Sequence, residues 1–143
     1  MKRHDALVSL SSDHHTGLLW ARKLKDATPE SAQSDPEQLA EEFLSEWYED
    51  INPHFRREEE ILLPYFAREG DFTHESIRKM LQQHIILRRD VAKLRENVTV
   101  NLLVKIGDTL HEHIRHEERT VFPLIEEQTS EKILQKIYAE LDE

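Results

Sequence analysis

Two short blocks of this chain carry the residue types from which a buried polar site is made. His54-Phe-Arg-Arg-Glu58-Glu-Glu-Ile-Leu-Leu-Pro64 and His113-Ile-Arg-His-Glu117-Glu-Arg-Thr-Val-Phe-Pro123 place histidine, glutamate, a second glutamate and proline at identical offsets. Residues four apart share one face of an α-helix, so each block aims an imidazole and a carboxylate the same way. That face is otherwise apolar, with Leu44, Trp47, Ile51, Ile61, Leu62 and Tyr65 around the first pair and Leu103, Ile106, Leu110, Val121 and Leu124 around the second. Two further histidines lie on such stripes: His14 among Leu7, Leu10, Gly17, Leu18, Ala21 and Leu24, and His84 among Ile77, Leu81, Leu87, Val91 and Leu94. An unpartnered carboxylate is costly to remove from water, so Glu58 and Glu117 on apolar stripes require a partner.

A metal ion satisfies many inward imidazoles and carboxylates at once. The order is a helix with one histidine followed by a helix with His-x-x-x-Glu, repeated once, which implies pseudo-twofold symmetry and two ions. Glu58 and Glu117 would bridge them, with two imidazoles capping each. The alternative is a metal-free, hydrogen-bonded polar core. Donors of these types suit iron, zinc, manganese and nickel alike, so they do not name the metal.

The remaining polar residues sort by helical register. His15 competes with His14 for the first position, and the register favours His14. His116 is turned about 60° from the His113 face, as a support or an alternative ligand. His111 faces away and is expected on the surface, as are His4 and His74 near helix starts. Glu59, Glu60 and Glu118 read as a solvated face, one of which is placed to accept a hydrogen bond from a ligand imidazole. Tyr65 reads as core packing, the alternative being a hydrogen bond beside a bound oxidant.

The elements that position these residues follow from period 3.6 and from punctuation. Only three glycines and five prolines occur in 143 residues, 34% of which are charged, a composition of long helices. Amphipathic segments run over about 4–26, 37–67, 73–97 and 100–128, the third with a Ser/Thr-type cap near Thr73. The loop-like stretch 27–36 follows the first, and Ile133, Leu134, Ile137 and Leu141 mark a short C-terminal helix. Helices of this length on short connections predict one all-α domain over 1–143, an up-down-up-down four-helix bundle with a short C-terminal helix. Pro53, Pro64 and Pro123 fall inside helices whose stripes continue past them, so each should kink its helix or free a carbonyl.

Composition narrows the function classes. Without cysteine there is no disulfide, thiolate zinc site, iron–sulfur cluster or cysteine nucleophile. A formal charge of −10, from 29 acidic and 19 basic residues, argues against nucleic acid and anionic membranes as partners. The start MKRHDALVSL lacks the apolar core of a signal peptide, and no window reaches the length of a membrane span, so a cytoplasmic location is expected.

The paired His-x-x-x-Glu-Glu blocks with their prolines, together with the opening Leu10-Ser-Ser-Asp-His-His15, resemble the hemerythrin family, the HHE cation-binding domain, over about residues 4–128. That resemblance implies a four-helix bundle with a non-haem di-iron centre, two iron ions joined by two carboxylates and an oxo or hydroxo bridge. It implies His14, His54, Glu58, His84, His113 and Glu117 as ligands. Two positions depart from the oxygen-carrying members: Arg88 stands where they have a second histidine in the third helix, and Glu117 stands in place of an aspartate five residues after the histidine. Two histidines per iron leave both ions an exchangeable position, which favours the bacterial relatives that respond to oxygen, nitric oxide, peroxide or iron over reversible carriage. The leading expectation is a metal-binding protein that binds oxygen, nitric oxide or peroxide in sensing, scavenging or iron handling. The alternatives are a di-iron oxidase or peroxidase and a metal-free interaction module.

Overall fold

The computed structural model describes residues 2–27 and 35–142, so the loop expected over 27–36 lies mostly outside the described residues. Among them every regular element is helical: α1 (Asp5–Lys25), α2 (residues 36–66), α3 (Glu75–Glu96), α4 (residues 100–128) and α5 (Glu131–Leu141). The ends are capped by side chains that accept the free N–H groups of the first turn. Asp35 caps α2 ahead of Pro36, Thr99 caps α4 and Ser130 caps α5. Histidine does the same for two helices, His4 Nδ1 accepting from the Ala6 N–H at 2.9 Å and His74 Nδ1 from the Ser76 N–H at 3.0 Å. The Ser/Thr-type cap expected for α3 is therefore replaced by His74. Thr73 instead bonds Asp71 Oδ1 through its N–H and hydroxyl. A neutral imidazole can take this role because Nδ1 sits at the same distance from the backbone as an asparagine oxygen.

The internal prolines are absorbed by π-turns. Residues Trp47–Ile51, Glu58–Leu62 and Glu117–Val121 form single π-helical turns, closed by N–H bonds from Asn52 to the Trp47 carbonyl, Leu63 to Glu58 and Phe122 to Glu117. Each proline comes next, six residues after the first of its turn. The wider turn removes the clash between the proline ring and the preceding turn, and it lets the helix run on. It also slows the drift of the buried stripe: Phe43, Trp47, Ile51, His54, Glu58, Leu62 and Phe66 all point inward.

The core is divided along the bundle axis. One apolar cluster joins Ala21 and Leu24 of α1, Phe43 and Trp47 of α2, Leu87 and Leu94 of α3, and Leu103 and Ile106 of α4. The other joins Leu7 and Leu10 of α1, Leu62 and Phe66 of α2, Ile77 and Met80 of α3, and Phe122 and Ile125 of α4, with Ile133 and Ile137 of α5 closing that end. The first cluster takes the C-terminal halves of α1 and α3 and the N-terminal halves of α2 and α4; the second takes the opposite halves. The four helices therefore alternate in direction, the up-down-up-down bundle that the stripes implied, with α5 as the short C-terminal helix.

Between the two clusters lies a polar layer containing His14, His54, Glu58, His84, His113 and Glu117. Helices α1 and α4 approach closely through two glycines. A Cβ on Gly17 would come within 2.8 Å of Ile114 Cδ1, and one on Gly107 within 2.8 Å of the Ala21 carbonyl and 2.9 Å of the Lys25 nitrogen. The Gly107 neighbours are backbone and cannot rotate away. Gly107→Ala is expected to destabilise the fold by about 1–3 kcal/mol, read as a lower urea midpoint, despite the better helix propensity of alanine.

Candidate metal centre

Each helix of the bundle delivers one imidazole to the layer, and α2 and α4 add a carboxylate one turn later, at the first residue of a π-turn. Glu58, His113 and Glu117 are completely buried, and His84, His54 and His14 nearly so. All four imidazoles turn Nε2 inward. His14 Nε2 lies 2.9 Å from Glu117 Oε1, and His54 Nε2 is 3.3 Å from Glu58 Oε2 and 4.0 Å from Glu117 Oε1. On the other side His84 Nε2 is 3.2 Å from Glu58 Oε1 and 3.7 Å from Glu117 Oε2, and His113 Nε2 is 3.1 Å from Glu117 Oε2. Each carboxylate thus turns one oxygen to the His14/His54 pair and the other to the His84/His113 pair. Two four-residue groups result, His14, His54, Glu58, Glu117 and Glu58, His84, His113, Glu117, each with one donor atom per residue within 4.8 Å of the others.

The Nδ1 atoms all face outward to acceptors. His14 Nδ1 donates to Glu118 at 2.8 Å, His54 to Asp13 at 2.9 Å, His84 to Glu59 at 2.6 Å and His113 to the Gln83 side-chain oxygen at 2.7 Å. A proton held on Nδ1 leaves the Nε2 lone pair pointing into the layer, which is how ligating histidines are oriented. Three of the four acceptors are steadied by an arginine: Arg57 reaches Asp13 at 2.6 Å, Arg88 reaches Glu59 at 2.8 Å and Arg3 reaches Glu118 at 3.4 Å.

The fit to a metal shows in what the protein leaves unmet. His54 Nε2, both oxygens of Glu58 and Glu117 Oε2 are buried without a hydrogen-bond partner. His84 and His113 bring two Nε2 atoms to 3.1 Å, an arrangement that needs a proton or a cation between two lone pairs. Cations at the two groups would meet all these atoms at once, with nitrogen and oxygen donors suited to iron, zinc or manganese.

Without metal, protons supply the positive charge. Burial opposes the charged form of His14, but hydrogen bonds to Glu117 and Glu118 outweigh it and push this imidazole up to about 9. Burial likewise opposes charge on His84, and Glu117, Glu58 and Glu59 raise it to about 10. His54 is raised well above its ordinary value, the attraction of Glu58 and the bond to Asp13 overcoming burial. Burial would raise Glu117, but the facing imidazoles, His113 foremost, hold it well below the carboxylate range. Glu118 is lowered to about 2 by His14 and Ser11, again against burial.

Other histidines stand outside both groups. His15 is exposed, turned about 100° around α1 from the buried His14. His116 donates from Nε2 to the Ser76 carbonyl at 2.9 Å, tying α4 to the start of α3 rather than supporting a ligand. Although expected at the surface, His111 is half-buried, and burial together with Lys25 and Arg115 lowers its pKa. Tyr65 is half-buried under Arg68 and reaches Glu140 of α5, away from the layer. Of the three glutamates read as a solvated face, Glu59 and Glu118 are half-buried imidazole acceptors, while Glu60 pairs with Arg56 in solvent. Asp13 stands in the sequence only as part of the opening before His14 and Gln83 carries no signal there; each immediately precedes a buried histidine but accepts from one on another helix, Asp13 from His54 and Gln83 from His113.

An antiparallel bundle with a buried layer of four imidazoles and two carboxylates defines a cation-binding helical bundle. The family comparison names it: the hemerythrin HHE cation binding domain matches residues 7–125, and the chain belongs to that family. Comparison with curated proteins and with solved structures gives no match.

Ligation requires Nε2 without its proton, so cations must displace protons from His14, His54 and His84 at neutral pH. Adding Zn2+ to metal-free protein at pH 7 should release about three protons per chain into a weakly buffered indicator solution. Affinity should rise with pH as His14, His54 and His84 lose their protons.

Proposed function

We propose that the chain is a di-iron protein in which His14 and His54 hold one ion, His84 and His113 the other, and Glu58 and Glu117 bridge them. The observation that carries this reading is the split of both carboxylates, one oxygen toward each imidazole pair. Iron and an oxo or hydroxo bridge come from the family resemblance, and the donor set is compatible with other divalent metals. A pair of irons supplies reversible one- or two-electron exchange with oxygen, nitric oxide or peroxide; the chain supplies the donors, their orientation and the access.

Access is visible on one side. A cavity of about 200 Å³ between α1 and α2 is lined by His14, Gly17, Ile51, His54, Leu110 and Ile114, among others. Gly17, Ile51, Leu110 and Ile114 give it apolar surface, and Asp13, Glu46, Asp50 and Arg57 give it charge. A cavity that reaches His14 and His54 gives a small molecule a route to the centre, which supports small-ligand binding in sensing, scavenging or iron handling. Among the described residues no helix is long and apolar enough to cross a membrane, and a cytoplasmic location is part of the proposal.

Metal analysis of protein loaded with ferrous iron should return two ions per chain. The reduced, loaded protein should change its visible spectrum on addition of nitric oxide. Protein that takes up no iron under any condition sinks the reading and leaves the hydrogen-bonded module. Because cations bind the folded form, two equivalents with free metal at 100-fold above Kd should stabilise the bundle by about 2.7 kcal/mol per site, reversed by chelator. In Glu58→Gln and Glu117→Gln, uptake should fall to at most one tightly held ion per chain, because each substitution exchanges one of the two oxygens for an amide NH2 and removes the negative charge that both positions share.

A further inference from the structure

The outer acceptors of the four imidazoles are not equivalent. On the His14/His54 side both are carboxylates, Glu118 and Asp13; on the His84/His113 side one is the carboxylate of Glu59 and the other the amide of Gln83. Gln83 is buried and its oxygen accepts the His113 Nδ1 proton at 2.7 Å. A carboxylate draws that proton toward itself in a charge-assisted bond, which leaves the opposite nitrogen a stronger donor. The neutral amide fixes the ring orientation equally well but adds no negative charge, so His113 is the weakest donor of the four.

We propose that Gln83 is a positioning residue that makes the two cation positions unequal, so that the His84/His113 position fills last and empties first. This rests on the dinuclear reading above, and it gives that reading an order of loading. The bridging carboxylates cannot create the difference, since each turns one oxygen to either side. The arginines are unequal as well, Arg57 and Arg3 on the two acceptors of the His14/His54 side and Arg88 on Glu59 alone, but each pairs with a carboxylate that keeps its bond to an imidazole, so they temper the difference in acceptor charge without replacing it.

The test is a Zn2+ titration of the metal-free full chain against a chromophoric competing chelator, which yields two stepwise constants. Gln83→Glu should tighten the weaker step by at least about tenfold, a typical effect for such an outer acceptor, and so shrink the ratio of the constants. Glu118→Gln should shrink the same ratio from the other side, by weakening the tighter step. A ratio that does not shrink in Gln83→Glu overturns the inference, because a merely space-filling Gln83 would leave it alone. If circular dichroism shows that Gln83→Glu does not fold, Glu118→Gln decides, and an unchanged ratio there overturns it as well. Wild-type protein that binds no Zn2+ instead overturns the dinuclear reading, so the two failures are distinct.

Discussion

Burying two carboxylates at the centre of an apolar bundle is the constraint to which the rest of this structure answers. Glu58 and Glu117 have no exposure, and apolar clusters lie above and below them, so water cannot share the cost. Positive charge must come from within the layer, as imidazolium or as metal. Every helix contributes to that supply, and this makes the layer a tie between all four. The apolar clusters stabilise the two ends independently; the polar layer makes one bundle of them.

The outer acceptors extend the same logic to the surface. Asp13, Glu59 and Glu118 orient three imidazoles and are each held by an arginine, so charge alternates outward from the core to solvent. Arg88 shows how this chain departs from the oxygen-carrying members. At the position where they have another histidine, the guanidinium turns away from the layer, donating to Asn52 and to Glu59, which in turn accepts from His84. A position that is a ligand in those members here steadies the acceptor of one.

Much of this was legible in the sequence because helix period and burial act on every residue alike. The stripes through His14, His54, His84 and His113 needed no tertiary information, and they gave the helices, their number and which residues meet. What escaped depends on neighbours in space. Asp13 is on α1 while its imidazole is on α2, and Gln83 is on α3 while its imidazole is on α4, so no local pattern links them. Among Glu59, Glu60 and Glu118 the sequence points to one imidazole acceptor but not to which, and packing against α3 and α1 brings the oxygens of two, Glu59 and Glu118, to His84 and His14. The His74 cap was missed because histidine is not an ordinary capping residue.

The π-turns make chain length a structural variable in its own right. A π-turn holds one residue more than the α-turn it replaces, and a single residue corresponds to about 100° of helix rotation. Reverting Trp47–Ile51 to an α-turn at the same chain length would swing His54 and Glu58 about a quarter-circle away from their partners, whereas reverting it with the loss of one residue would leave their aim unchanged. The same holds for Glu117–Val121 and the cap formed by α5 packing on Phe122 and Ile125. Within these helices the place of a one-residue deletion therefore decides its effect: outside a π-turn it re-aims everything beyond it, and inside one the turn can absorb it.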